Sequence, residues 1–255
     1  MPQWTALSAT AHRDKRLLPR DGYRHAAHDP VVPVLLAELN RLIPHYALGF
    51  ITRADAYLPV ALLSLDGERN LYVAPDGRWI GSYVPALMRS YPFALADGQE
   101  GNKILAVDVE RLSDDGGEPL FEDGEPSATV QQTLDFLQQC EANRQQTQAA
   151  TQALQQAGVI AQWPLTIQRH GEDAEPKAVK GLYRIDEAAL NALDAETLAT
   201  LQGAPLALAY AQMFSTAQLE QLSERDKRLK DTGDVPENLD GFFGEDDDEL
   251  SFDFD

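Results

Sequence analysis

Residues 47–84 read ALGFITRADAYLPVALLSLDGERNLYVAPDGRWIGSYV, and the order of their apolar runs and turn formers decides the fold class. Residues 47–52, 59–65, 70–74 and 79–84 are short apolar or aromatic runs, punctuated by Asp66-Gly67 and Asp76-Gly77. Runs of this length, separated by turn-forming pairs, predict antiparallel hairpins. Glycine accepts positive φ without a Cβ clash, so Asp76-Gly77 between Leu71-Tyr72-Val73 and Trp79-Ile80 is expected to be a tight turn joining two strands.

Working outward, Leu35, Leu36, Leu39 and Leu42 stand at helical spacing and predict a short amphipathic helix ending near Pro44. Residues 103–109 form a further expected strand, and Leu120-Phe121 before Asp123-Gly124 a further turn. Between 127 and 157 there is neither proline nor glycine; Ser127 is placed to cap a long helix that stops at Gly158. At the α-helical rise it would extend about 45 Å if unbroken. Its strong apolar anchors are Val130, Leu134, Leu137 and Leu154, so its glutamine-rich middle is either exposed or paired with another helix, and a break near Asn143 stays open.

Residues 165–169 and 178–185 are expected strands flanking the polar loop 171–176. Asp186 then caps a helix carrying Leu190, Leu193, Leu198 and Leu201, and further helix runs through Leu222. The sum is an α+β fold over residues 1–230, a mixed, mainly antiparallel sheet with packed helices and one long helix, arranged as one domain or as two interlocked lobes.

Residues 231–255 contain eleven Asp or Glu and no Lys or Arg, a composition that predicts a disordered acidic tail. Phe242, Phe243, Phe252 and Phe254 are interleaved with those acids. Apolar anchors kept in solvent by flanking charge suit docking of a protein partner through a basic, apolar groove; a tail that merely aids solubility is the competing reading.

The net charge of −20, from 41 acidic and 21 basic residues, disfavours a nonspecific grip on nucleic acid or anionic lipid. The single cysteine, Cys140, excludes an internal disulfide framework and a cysteine-built zinc site. Apolar stretches such as 58–65 and 205–211 fall far short of the roughly 20 residues a spanning helix needs, so membrane insertion is not expected. No apolar core of secretory length precedes His12-Arg13-Asp14-Lys15-Arg16, which makes cytoplasmic residence the expectation and signal-less or C-terminal-signal export to the cell surface the alternative.

Several blocks carry a family resemblance. Asn70-Leu71-Tyr72-Val73, Asp76-Gly77-Arg78-Trp79-Ile80, Tyr83-Val84-Pro85-Ala86 and Arg89-Ser90-Tyr91-Pro92-Phe93 together resemble the signature region of the SapC family. Lys180-Gly181-Leu182-Tyr183-Arg184-Ile185-Asp186-Glu187 and Ala209-Tyr210-Ala211-Gln212-Met213-Phe214-Ser215 resemble its C-terminal half, and residues 121–125 its short connecting motif. The resemblance spans about residues 6–225 and leaves out the acidic tail. It implies a bacterial protein from a family named after a surface-layer gene cluster, with no catalytic mechanism attached: a noncatalytic accessory or binding protein of surface-layer or envelope assembly, export or peptide handling.

Phosphate-binding loops, dinucleotide fingerprints, HExxH and nucleophile-elbow motifs are absent from the sequence. His12 and Asp14 could share a metal or a proton with His25 or His28, but Pro19, Asp21-Gly22 and Pro30 break that segment into loops, and no metal or cofactor is expected. Cys140 reads as a packed thiol. Trp79, Tyr83, Arg89 and Tyr91 form the candidate ligand-binding set, because aromatic rings offer apolar contact with a polar edge and a guanidinium pairs bidentately with carboxylate. Packing of the same aromatics in a sheet is the competing reading. An enzyme or enzyme subunit acting on a peptide or small metabolite, tested first at His12, Asp14 and Arg89, is the alternative function; a structural surface-layer component is a third.

Overall fold

The computed structural model describes residues 2–98, 102–167 and 177–231. Leu48–Arg53 and Ala56–Leu62 form an antiparallel hairpin, with Leu48 opposite Ala61 and Arg53 opposite Ala56. Its turn is Ala54-Asp55, at φ +47° and +63°, and contains no glycine. Positive φ at both central residues matches the right-handed twist of the flanking strands. This hairpin is the centre of a five-stranded antiparallel sheet, in the spatial order Ile160–Gln162, Leu182–Ile185, Leu48–Arg53, Ala56–Leu62, Val31–Pro33. Leu48, Gly49 and Phe50 are buried in succession, as are Pro59, Val60, Ala61 and Leu62. A strand buried on both sides loses the in-out alternation of a half-exposed one.

One cover is the helix Ala204–Ser215, which buries Leu208, Ala209 and Ala211. Gln212 bolts it to the sheet: Oε1 accepts from the Ile185 amide (2.9 Å) and Nε2 donates to the Leu48 carbonyl (3.2 Å). The Ser215 hydroxyl accepts from the Leu48 amide (2.9 Å). Upstream, the Asp186 carboxylate accepts from the Ala189 amide and caps Glu187–Asn191, as the sequence predicts.

A second, three-stranded antiparallel sheet orders Trp4–Ala6, Lys103–Asp108 and Phe93–Asp97. Its Phe93 and Val107 meet Leu120, Val130 and Leu137 in a separate hydrophobic cluster. A small ribbon, Leu112–Ser113, Arg16–Leu17 and Glu118–Pro119, lies alongside in sequence and completes the pairing of the N-terminal segment. The fold is α+β.

The long helix runs unbroken over Ala128–Gln156, with no interruption at Asn143. The Ser127 backbone starts it in an extended conformation, but its hydroxyl is buried without a hydrogen-bond partner, so the expected side-chain cap is not made. The polar middle has a use the sequence does not announce. Thr147 Oγ1 accepts from the Leu36 amide (3.0 Å) and Asn143 Oδ1 from the Ala37 amide (3.1 Å). These are leading amides of the 3-10 turn Leu36–Glu38, which would otherwise lack acceptors.

Other expectations need correction. Residues 70–74 and 79–84 are not strands: they close one tight turn with a single bridge, Val73 to Trp79, and backbone bonds Ala74 to Arg78 and Ile80 to Tyr72. Pro75 has no amide to extend the ladder, and Tyr72 and Trp79 are drawn into an aromatic cluster. The turn at Asp76-Gly77 is present, with Gly77 at φ +91°. A Cβ on the facing Gly22 would stand 2.4 Å from the Gly77 carbonyl oxygen, so this approach of two backbones requires glycine. The segment expected as one helix before Pro44 instead opens with the edge strand Val31–Pro33, then the 3-10 turn, then Leu39–Leu42. Within the expected strands 165–169 and 178–185, Thr166–Ile167 pairs with Lys177–Ala178 and Leu182–Ile185 joins the main sheet. The polar loop between them lies outside the described residues, as does the acidic tail beyond the helix Gln218–Asp231. Among the described residues no helix is long and apolar enough to cross a membrane.

Candidate functional site

Glu38 organises the site from inside. It is 4% exposed, sits at the end of the 3-10 turn, and accepts three hydrogen bonds. Oε1 takes the Leu35 amide (3.2 Å); Oε2 takes the Ala86 amide (2.8 Å) and the Tyr83 hydroxyl (3.0 Å). Burial outweighs those bonds and raises its pKa above the ordinary glutamate value. The carboxylate thereby fastens the 3-10 turn to the first residue of the short helix Ala86–Arg89, whose last residue, Arg89, is exposed.

Aromatic rings set the direction of that arginine. Its guanidinium lies 5.1 Å from the Phe136 ring centroid and 5.7 Å from that of Tyr83, and Nη2 donates to the Tyr83 hydroxyl (3.4 Å). Stacking of this kind holds a guanidinium flat without neutralising it. Behind Tyr83, the Tyr46 hydroxyl and Trp79 Nε1 both donate to the Tyr83 carbonyl. Tyr72 stacks on Trp79 with centroids 5.8 Å apart, and its hydroxyl donates to the His45 carbonyl (2.9 Å). Burial pushes the Tyr72 phenol up to about 12 and raises that of Tyr46 as well.

In front of Arg89 opens a groove of about 670 Å³. Leu17, Leu18, Pro92, Phe93 and Phe136 supply apolar walls, and Thr129, Gln132 and Glu118 line it as well. Arg20 and Arg89 carry its positive charge. Arg20 Nη1 donates to the Arg89 carbonyl (3.3 Å) and its guanidinium lies 4.6 Å over the Tyr23 ring. Among the described residues neither arginine forms an ion pair, whereas Glu118 accepts from the Thr129 hydroxyl (3.1 Å).

Tyr91 lines the same groove and is locked from behind. His25 stacks on it, centroids 3.6 Å apart and 10° between planes, and its hydroxyl donates to Asp108 Oδ2 (2.8 Å). Asp108 is 1% exposed and its other oxygen accepts from the Gln3 amide (2.9 Å). Burial, reinforced by the charge of Arg20, pushes His25 down to about 4; burial and the Asp108 carboxylate raise the Tyr91 pKa. Both rings are therefore neutral near pH 7, and they shape the wall instead of exchanging protons.

A cavity of about 710 Å³ lies elsewhere, lined by Leu62, Leu65, Val179 and Leu182 with Lys180 as its cation. Its wall residues Leu165 and Ala178 flank a segment outside the described residues, so the arginine groove is the better-defined site.

The sequence-predicted set divides. Arg89 and Tyr91 meet at the groove; Tyr83 supports Arg89 from beneath, and Trp79 lies a layer deeper with its indole donor spent on Tyr46 and Tyr83. Phe242, Phe243, Phe252 and Phe254 lie outside the described residues. His12, His25 and His28 go to separate partners: the Ser8 backbone, the Tyr91 ring and the Glu68 carbonyl. Among the described residues no three His, Cys, Asp or Glu side chains are grouped to hold a metal ion. Cys140 is buried in a cluster with Leu35 and Ala86, and burial pushes its thiol up to about 11.

Arg20, Glu38 and Phe136 were missed. Arg20 and Arg89 are 69 residues apart and no spacing rule connects them. Glu38 did leave a trace, a lone acid amid Leu35, Leu36, Leu39 and Leu42.

No curated protein and no solved structure matches the chain. The family model SapC matches residues 7–222, a span that contains Arg20, Glu38, Arg89, Tyr91 and Phe136 along with most of both sheets and the whole long helix. With a match over so much of its length, the chain belongs to the SapC family.

Proposed function

We propose that this chain is a noncatalytic binding protein that holds an apolar, carboxylate-bearing segment of a protein partner in the groove between Arg20 and Arg89, in the service of envelope assembly, export or peptide handling. The observation that carries the reading is the pair of exposed guanidinium groups that, among the described residues, have no ion-pair partner and stand beside apolar walls. In a chain of net charge −20, such a pair is a local exception that selects for anionic ligands. Guanidinium recognises carboxylate through parallel hydrogen bonds, and the walls of Leu17, Leu18 and Phe136 offer partly exposed surface to an aromatic or aliphatic neighbour. Binding is favoured over catalysis because Tyr91 and His25, the ring pair at the groove, are held neutral and already partnered.

Fluorescence anisotropy with a labelled peptide alternating Phe and Glu tests this. Losing a charge-assisted hydrogen bond costs about 1.5–3 kcal/mol, so Arg89→Ala should weaken binding by roughly tenfold or more. Lys180→Ala, at the other cavity, should leave it unchanged. Absence of binding, or wild-type affinity in both Arg89→Ala and Arg20→Ala, overturns the reading.

A further inference from the structure

We infer that the groove has an occupant within this chain: the segment 249–255, with Phe252, Phe254, Asp253 and Asp255, docks between Arg20 and Arg89 and competes with the partner. This rests on the groove being a site for acidic, apolar peptides. Charge complementarity is the first argument, since residues 231–255 hold eleven acids and no basic residue while the groove presents two guanidinium groups that have no ion-pair partner among the described residues. The spacing is the second. Bound in an extended form, this segment would turn Phe252 and Phe254 one way and Asp253 and Asp255 the other. Phe252 and Phe254 would take the apolar lining of Leu17 and Leu18, and Asp253 and Asp255 the guanidinium groups of Arg20 and Arg89.

Reach is the third. The helix Gln218–Asp231 passes the aromatic cluster that backs the site, with the Arg225 guanidinium 4.7 Å from the Tyr72 ring. Tyr72 stacks on Trp79, Trp79 donates to the Tyr83 carbonyl, and Tyr83 underlies Arg89. Residues 232–248 separate this helix from the docking segment, and a flexible chain of that length would have a root-mean-square span of roughly 20–25 Å. Where the span of such a linker matches the separation of the two sites, effective concentration is greatest, about 1 mM for a short flexible linker.

The experiment uses the full chain in three forms: wild type, Phe252→Ser/Phe254→Ser, and that double variant with Arg89→Ala. The probes are a labelled synthetic peptide of residues 245–255 and the Phe/Glu peptide. If the segment binds in trans with a Kd of about 100 μM, self-occupancy at an effective 1 mM weakens probe binding to wild type about tenfold relative to the double variant. The triple variant should lose binding. Equal probe affinity in wild type and double variant overturns the inference while the groove reading stands; binding of the Phe/Glu probe but not the 245–255 probe to the double variant has the same meaning. Failure of both probes to bind the double variant removes the groove reading itself. A concentration-dependent dimer of wild type that the double substitution abolishes places the segment in a second copy's groove and overturns its docking within one chain.

Discussion

Replacing Glu38 by alanine should cost far more than the loss of one surface acid. The substitution removes the acceptor for the Leu35 and Ala86 amides, and those residues are 3% and 4% exposed, so water cannot replace it. A buried donor left without a partner costs about 1–3 kcal/mol, which for two amides is about 2–6 kcal/mol. In a domain of this size each kcal/mol moves the melting temperature by about 2–4 °C, so the Glu38→Ala midpoint at pH 7 should fall by about 10 °C. Circular dichroism melts read this directly. Glu38→Gln keeps one accepting oxygen and should lose about half as much. Its pH dependence carries a sign: the folded-state pKa of Glu38 is raised, so the fold binds this proton more tightly than the unfolded chain does. The group's contribution is full below the ordinary glutamate range and lost as pH rises through the raised value. Glutamine has no such loss, so the Glu38→Gln deficit should be larger at pH 4 than at pH 7. An alanine variant within about 2 °C of wild type, or a glutamine deficit that grows with pH, refutes the reasoning.

Gln212→Ala breaks the bonds to Ile185 and Leu48 at a site 1% exposed and should lower stability by about 2–4 kcal/mol, read as a shifted urea midpoint with an unchanged slope. A shift worth under about 0.5 kcal/mol would show that the helix needs no such bolt. The pKa of His25 is depressed to about 4, so its stabilising contribution is complete above about pH 6.5 and lost as pH falls through about 4. His25→Phe should flatten that part of the stability profile, and an imidazole midpoint near 6.5 by proton NMR would contradict burial against Tyr91. Cys140, 5% exposed with its thiol pushed up to about 11, should react with Ellman's reagent at pH 8 only as fast as the protein opens; stoichiometric labelling within seconds in the native state would show the thiol to be accessible.

The central hairpin was legible because its strands are apolar on both sides, but its turn was not: Ala54 and Asp55 take positive φ that their identities do not signal. Residues 70–84 misled for a related reason, since Tyr72 and Trp79 favour strand and buried cluster alike. Trp4–Ala6 and Ile160–Gln162 are three residues each, too short for a period to show. Absence of proline and glycine gave away the long helix, whereas the capping work of Asn143 and Thr147 depended on amides more than 100 residues distant. The site divides in the same manner. Arg89 and Tyr91 stand in one quoted block, and their partners Arg20, Glu38 and Phe136 enter only through tertiary packing.

The long helix gives the groove a thermodynamic reach beyond its own walls. Its first turns carry Thr129 and Phe136 at the groove and bury Val130 and Leu137 against the three-stranded sheet, while its last turns bury Ala150 and Leu154 in the core of the five-stranded one. Neither core can open without disturbing a rod that the other also holds, so both should melt in a single cooperative transition. A ligand seated against Phe136 then stabilises the more distant sheet as much as the nearer one, and a rise in one shared melting temperature reports occupancy of a groove that touches only part of the protein.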